Sequence, residues 1–465
     1  MIKMTNKKDW WVKPGVGIMY QIEARPGWLW NRNYDKFNAS MVNENGDFQF
    51  NGPYCKMKEW VDFSKKVGVD YHIFEAKWHD GICYFDTQYT DWKTPEDYCK
   101  IFSEESIKEK IPFMFYYSNV FDHNPQFDSI QPLRCCTPSF ICMHNKPKRF
   151  ISGFSLFFSF VVWMLEKIKH LTRTIPIEDE DAKWFEKVHF NKFKQNPTKY
   201  EKYMFAQLTE LIEKYKPDGL WMDWWMPSLI ESSSDIIMDF MKENYPNTVL
   251  TFNGSINADL KWGHYVSFEA HDVYSAWKSG NKNRRKKIPW ELVGPAACGW
   301  DNPAPRNDPY EASRIATIIM ASGGKFAFGM PAKMDGSLYK KPGKHLELFG
   351  KWYKPRRELF TEAIPMDYKG KKVPGIIIND KNIKSICSTH NDDYLLHLIP
   401  LRSIPIKTLP IKFVIKKWKN IQKIILEPSK KELGFKKDEK LISVSIPKEE
   451  VERIDTILRI KKNIT

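Results

Sequence analysis

Between Gly15 and Met330, short apolar runs alternate with polar clusters and, where the signal is clear, with helical stretches. The runs are Val16–Ile22, Tyr71–Ala76, Phe113–Tyr117, Gly219–Trp224, Thr248–Phe252, Tyr265–Glu269, Trp290–Val293 and Lys325–Gly329. They are rich in β-branched and aromatic residues and end in polar ones, which predicts buried strands. Between them, Lys56–Val67 sets Met57, Trp60, Val61 and Phe63 at helical spacing, and Tyr98–Lys110 does likewise ahead of Pro112. Tyr200–Tyr215 carries Tyr203, Leu208, Leu211 and Ile212 on one side until the Lys-Pro-Asp-Gly turn stops it. Ser232–Asn244 opens on serines suited to capping and closes before Pro246, and Tyr310–Ala321 is the last strong helical pattern.

Strands that alternate with helices imply a parallel sheet, and eight such units imply a (β/α)8 TIM-like barrel rather than an open sheet. Several run ends carry polar or ionisable residues: Gln21, Glu23, Lys77, His79, Asp80, Tyr117, Ser118, Asp223, Asn253, Glu269 and Glu291. A barrel builds its chemistry at that C-terminal rim. After about Tyr353 the period changes to short β-like runs without long helices, from Pro374–Ile378 to Thr456–Ile460. This predicts a C-terminal antiparallel β-sandwich. The expected division is a catalytic barrel over residues 10–360, with a rim insertion at about 132–198, and a β domain over residues 366–465.

Composition sharpens the picture. Apolar residues make up 42% and aromatic residues 15%, which excludes a disordered chain. Eighteen Trp and twenty Tyr supply flat rings with a polar atom, which suit the faces of sugars as well as cores. The net charge is +15, but the basic residues are scattered and no zinc-finger, RNP or basic-zipper pattern accompanies them. A solvated basic surface is therefore expected, and no nucleic-acid partner. The eight Cys show no Cys-x-x-Cys pair, and Cys135, Cys136, Cys142 and His144 form their only cluster. That is not the spacing of a structural zinc site, so free thiols are expected. No secretory signal opens the chain, which points to the cytoplasm. The uncharged segment Phe150–Leu165 is shorter than the roughly 20 residues of a spanning helix. It is read as a buried or docked helix, with membrane contact through 150–165 as the other reading.

The motifs resemble those of the α-L-fucosidases of glycoside hydrolase family 29. Gly15–Glu23 (GVGIMYQIE) stands in place of the family's first strand, F-G-I-F-I-H-W-G. Ala76–Ile82 (AKWHDGI) and Asp86–Trp92 (DTQYTDW) follow A-K-H-H-D-G-F and D-S-x-x-T-x-W. Tyr116-Tyr117-Ser118 matches a Y-Y-S strand end, and Gln207–Asp223 (QLTELIEKYKPDGLWMD) matches Q-x-x-E-L-x-x-x-Y-x-P-D-x-x-W-x-D. Gly323–Phe328 and Asp335-Gly336 complete the resemblance, which covers most of residues 10–365 outside the insertion.

The resemblance implies a retaining exo-glycosidase that removes terminal α-L-fucosyl units, or a related sugar, from a fucosylated glycan or glycoside. Asp223, the Asp of W-x-D, takes the nucleophile's place beside Trp221, Trp224 and Trp225. Glu269, in Ser267-Phe268-Glu269-Ala270, matches the T-A-E acid/base. Glu291, in a W-E element, is the alternative, followed by Glu23 and Glu75. Gln21, Glu23, Lys77, Trp78, His79, Tyr117, Trp221 and Glu291 are expected to line the sugar site. Two carboxylates suffice for this chemistry, so no metal or organic cofactor is expected. Gln21 and Trp78 replace two of the family's three hydroxyl-binding histidines, leaving His79. A carbohydrate-binding protein that has lost turnover is the alternative function.

Overall fold

The computed structural model describes residues 10–22, 56–79, 81–120, 198–225, 232–257, 264–286, 288–300, 303–333, 336–366, 375–402, 411–416, 421–438 and 441–462, with Asp122, Asn124, Gln126 and Val373. Eight strands form one parallel sheet: β1 (Gly15–Ile22), β2 (Tyr71–Lys77), β3 (Phe113–Ser118), β4 (Gly219–Asp223), β5 (Val249–Phe252), β6 (Val266–Glu269), β7 (Trp290–Pro295) and β8 (Lys325–Ala332). Their order is β5-β4-β3-β2-β1-β8-β7-β6. The two ends meet at a parallel bridge between Asn253 and Ser267, so the sheet closes into the expected barrel. Two hydrogen bonds reinforce this seam: Ser267 N–H donates to Ser255 Oγ (2.9 Å), and Thr251 Oγ1 donates to Tyr265 O (2.8 Å).

Helices cover the outside: α1 (Met57–Val67), α2 (Tyr98–Glu109), α3 (Lys199–Tyr215), α4 (Ser234–Asn244), α5 (Val273–Asn283), α6 (Glu311–Ala321) and α7 (Lys340–Tyr353). Side-chain caps set several of their starts. Thr198 and Glu201 form a reciprocal capping box on α3, Asp272 and Ser275 form one on α5, and Ser233 caps α4. Strands enclosed by helices outside and by side chains inside are apolar on both faces. Every residue of β2 is accordingly buried, the polar His72, Glu75 and Lys77 included.

The sequence pattern placed the eight strands within a few residues but did not single out α5 or α7. Ser275, Lys278, Asn281 and Asn283 dilute the apolar stripe of α5, and Pro342, Gly343 and Gly350 interrupt α7. Both helices form because their remaining apolar residues, such as Trp277 and Phe349, are buried against the barrel.

The tail forms two antiparallel sheets. One is six-stranded, β15-β14-β18-β12-β11-β9, and the other four-stranded, β10-β13-β17-β16. Their strands are β9 (Ile364–Pro365), β10 (Ile376–Ile378), β11 (Ile383–His390), β12 (Asp393–Pro400), β13 (Ile411–Lys416), β14 (Ile421–Glu427), β15 (Lys431–Leu433), β16 (Phe435–Asp438), β17 (Leu441–Ile446) and β18 (Thr456–Lys462). Leu396, Leu398, Ile424, Leu458 and Ile460 of the larger sheet pack with Ile415, Ile442 and Val444 of the smaller. Alternation along the strands turns Ile386, Leu395, Ile399 and Ile457 the other way, into the core shared with the barrel. Arg314 of α6, 1% exposed, ties the two cores together. It donates to Arg453 O (2.9 Å) and pairs with Asp308 (2.6 Å).

The expected insertion at 132–198, apart from Thr198, lies outside the described residues, as do segment 150–165 and Cys135, Cys136, Cys142 and His144. Among the described residues, Cys83, Cys99, Cys298 and Cys387 are free thiols. None of the described helices is long and apolar enough to cross a membrane.

Candidate active site

Strand β4 delivers Asp223 to the C-terminal rim of the barrel, where its side chain is 7% exposed. Three donors surround this carboxylate. Tyr116 Oη donates to Oδ2 at 2.5 Å, Asn253 Nδ2 donates to Oδ1 at 2.9 Å, and His79 Nε2 lies 3.2 Å from Oδ2. His79 is held in turn through Nδ1 by Ser118 Oγ at 2.6 Å. Directly after Asp223, Trp224 adopts a left-handed backbone with φ of 78°, an outlier for a bulky residue. Such a conformation costs about 1–3 kcal/mol and persists where surrounding bonds fix it. Here Asn119 Nδ2 holds Trp224 O (3.2 Å), and Trp225 N–H donates to Asn253 O (2.6 Å).

The second carboxylate belongs to Glu269 at the end of β6, with its side chain 16% exposed. Asn253 Nδ2 lies 3.1 Å from Glu269 Oε1, so one amide nitrogen touches both acids. The bonds of 2.9 and 3.1 Å together cap the separation of Asp223 Oδ1 and Glu269 Oε1 at about 6 Å. Gly254, next to Asn253, has φ of 87°, a turn that a side chain would strain. The other oxygen of Glu269 meets His271 Nε2 at 2.8 Å and Trp300 Nε1 at 3.3 Å. The Trp300 ring reaches this place by lying against Gly329, where an added Cβ would fall 2.0 Å from it. Burial alone would lower the His271 pKa, but the hydrogen bond and charge of Glu269 outweigh it and hold the imidazole above 6.5.

Behind the two acids stands a column of rings. Trp78 stacks on Tyr116 at 5.3 Å, and Tyr116 stacks on Trp221 at 5.4 Å. Trp221 is fixed from below, since its Nε1 donates to Glu291 Oε1 at 2.9 Å. Ser267 Oγ donates to the same oxygen at 3.0 Å, and Tyr71 Oη donates to Oε2. Burial pushes the Glu291 pKa up, while Lys325 and these donors oppose the shift. The same burial lowers Lys325 to about 8 against the opposing charge of Glu291.

The structure thus brings Asp223, Glu269, His79, Trp78 and Trp221 together, with the last two in the ring column. Gln21 is half-buried at the end of β1. Glu75 is buried and accepts the Ile22 N–H at 3.3 Å, while Glu23 lies outside the described residues. Three expected sugar ligands sit elsewhere. Tyr117 is fully buried and donates to Gln207 Oε1 at 2.7 Å. Lys77 is also fully buried, between Asp122 at 2.5 Å and Tyr200 Oη at 3.2 Å. Glu291 has no exposure and lies in the barrel interior beneath Trp221. For Tyr117 the reason is the two-residue alternation of a strand, which turns Tyr116 inward and its neighbour outward. Tyr116, His271 and Trp300 were not selected from the sequence, and Ser118 and Asn253 were visible only as polar run ends. Alternation along β3 carried the signal for Tyr116.

The alpha-L-fucosidase family model matches residues 15–358, a span that contains both carboxylates and every barrel strand. The chain belongs to the alpha-L-fucosidase family. It is accordingly a glycoside hydrolase. Solved structures of fucosidases share its fold over nearly the whole length. Thermotoga maritima alpha-fucosidase aligns with a TM-score of 0.64 at 17% identity, covering 98% of this chain and 97% of that one. Alpha-L-fucosidase isoenzyme 1 from Paenibacillus thiaminolyticus gives 0.65 at 16% identity, covering 98% and 99%. A trapped covalent intermediate of a Bacteroides thetaiotaomicron fucosidase gives 0.61 at 16%, covering 98% and 95%. No curated protein matches the sequence.

Proposed function

We propose that the protein is a retaining exo-α-L-fucosidase in which Asp223 is the nucleophile and Glu269 the acid/base. In the first step an Asp223 oxygen attacks the anomeric carbon, and the bond from that carbon to the glycosidic oxygen breaks. Glu269 gives its proton to the departing oxygen, leaving a glycosyl ester on Asp223. In the second step Glu269, now a carboxylate, takes a proton from water. The water oxygen attacks the same carbon, and the ester bond breaks to return Asp223 as a carboxylate. Two inversions leave the α configuration unchanged.

The observation that carries this reading is the shared amide of Asn253. It caps the separation of the two nearest oxygens at about 6 Å. Retaining enzymes hold their carboxyl groups about 5–5.5 Å apart, whereas inverting ones need roughly 6.5–9.5 Å to admit a water. Three donors face each carboxylate, and the two differ in exposure: the Glu269 side chain is 16% exposed against 7% for Asp223, which suits it to exchange a proton with a leaving group or water. Half-buried Trp300, whose Nε1 lies 3.3 Å from Glu269, offers an apolar face to the leaving group. The persistence of both carboxylates gives no support to a binding protein without turnover.

Fucose is the favoured sugar because Thermotoga maritima alpha-fucosidase, of the same fold, has been solved in complex with fucose. His79 remains for its hydroxyls, with Gln21 and Trp78 in place of the other family histidines. Proton NMR during hydrolysis of nitrophenyl α-L-fucoside tests the proposal. The α anomer of fucose is expected to appear first and then to mutarotate, and initial release of the β anomer would overturn the retaining mechanism.

A further inference from the structure

Side chains two apart on a strand share a face, so Trp221 lies below Asp223 on β4 and Ser267 lies below Glu269 on β6. Both are buried, and both donate to one atom of a third strand, β7. Trp221 Nε1 is 2.9 Å and Ser267 Oγ is 3.0 Å from Glu291 Oε1. Tyr71 Oη of β2 donates to the other oxygen. Glu291 itself has no exposure, so it touches no substrate. Lys325, its register partner on β8, supplies a countercharge for the carboxylate.

This contact spans the most sparsely bonded joint of the barrel. Every other neighbouring pair of barrel strands shares a run of partnered residues. Among the described residues, β5 and β6 meet at the single bridge of Asn253 and Ser267. Asp223 stands on one side of that joint and Glu269 on the other. Ladder bonds hold β4 to β3 and β6 to β7, but they leave the spacing of β4 and β6 to a few side chains. Glu291 reaches back across the interior from β7 to Trp221. Its two bonds to one oxygen cap the separation of Trp221 Nε1 and Ser267 Oγ at about 6 Å. Hydrogen bonds to an ionised acceptor are roughly twice as strong as neutral ones, which suits a carboxylate to this task.

We propose that Glu291 is a positioning residue for the reaction: by holding Trp221 and Ser267 on one oxygen it sets the spacing of β4 and β6, and so of Asp223 and Glu269. The inference rests on the roles proposed for those two acids. Loss of the Ser267 bond then frees β6 and displaces Glu269, while Asp223 keeps its place on β4. Glycosidic bond cleavage loses its proton donor but keeps its nucleophile.

The test compares kcat/KM of Ser267→Ala on phenyl α-L-fucoside and on 2-chloro-4-nitrophenyl α-L-fucoside. This quantity reports the first step, and phenol, the poorer leaving group, needs the proton of Glu269 far more. A fall of about tenfold or more is expected on the phenyl substrate and of less than about threefold on the activated one. A merely structural role would lower both equally, by reducing the amount of folded enzyme. Should Ser267→Ala not fold, Ser267→Cys decides by the same comparison, since a thiol is a far weaker donor of similar size. Trp221→Phe keeps a ring on Tyr116 but loses the bond to Glu291. It moves the nucleophile, which both substrates need, and should lose about tenfold on each. A loss in the Ser267 variant no greater on the phenyl than on the activated substrate, or full activity of Trp221→Phe, would overturn the proposal. Initial release of β-fucose by the parent enzyme would instead strike the roles of the two acids.

Discussion

Asn253 Nδ2 donates to Asp223 Oδ1 at 2.9 Å from a backbone position that closes the barrel. Its N–H donates to Met222 O at 2.9 Å, and its C=O accepts the Trp225 N–H at 2.6 Å. The residue that joins β5 to β6 thereby also joins the carboxylate of β4 to that of β6. Asn253→Ala removes both amide contacts while leaving these backbone bonds in place. We expect kcat to fall about 10- to 100-fold with little change in KM, because the amide positions the reacting groups. Steady-state kinetics on an aryl fucoside checks this, and unaltered kcat would mean that the spacing is set by other contacts.

Tyr116 and Tyr117 separate function from structure on a single strand. Tyr116→Phe keeps the ring between Trp78 and Trp221 but loses the hydroxyl on Asp223, so turnover should fall about tenfold or more with folding intact. Tyr117→Phe leaves the Gln207 acceptor without its donor and should cost about 1–3 kcal/mol of stability with kcat unchanged. Kinetics and denaturant unfolding of the two variants give the comparison. The reverse pattern would place Tyr117 at the sugar.

Much of the fold was legible because its signals are local. Eight β-branched and aromatic runs, each ending in polar residues, are what a barrel enclosed by helices requires, and Asp223 was legible through the motif that ends β4. The side on which a residue faces was less so. Lys77 and Tyr117 stand in motifs that approach the rim, but their side chains pair with Asp122 and Gln207. Glu291 is polar and next to Trp290, which suggests a site. Its place in the barrel interior follows from partners distant in sequence, Tyr71, Trp221 and Ser267. The bridging role of Asn253 also depends on closure of the sheet, which no short stretch of sequence encodes.

On the proposed mechanism, His271 is expected to link activity to pH. Its imidazole, held above 6.5, is protonated at lower pH and then favours the ionised form of Glu269. Removing that positive neighbour by His271→Ala makes Glu269 easier to protonate, so the acid stays loaded to higher pH. The alkaline limb of the kcat/KM profile should therefore move upward. A shift downward, or none, would show that His271 does not act on the acid/base.

Residues 10–360 and 366–465 are proposed as two domains that unfold together, joined through Arg314. This side chain is buried and bonds Arg453 O as well as Asp308. Arg314→Met should cost about 1–3 kcal/mol, since Arg453 O loses its charged donor while the Asp308 side chain, 21% exposed, can turn to water. Denaturant unfolding measures the loss, and a change below about 0.5 kcal/mol would place the coupling of the domains elsewhere.

The central claim is that Asp223 forms a covalent bond to the sugar. A 2-deoxy-2-fluoro-fucosyl fluoride tests it most directly. The ring fluorine slows both steps by opposing positive charge at the anomeric carbon, while the fluoride leaving group lets the first proceed, so the ester accumulates. Mass spectrometry of the digested protein should find one fluorofucosyl group, on the peptide containing Asp223, and none in Asp223→Asn. Labelling of a different carboxylate, or equal labelling of that variant, would contradict the account.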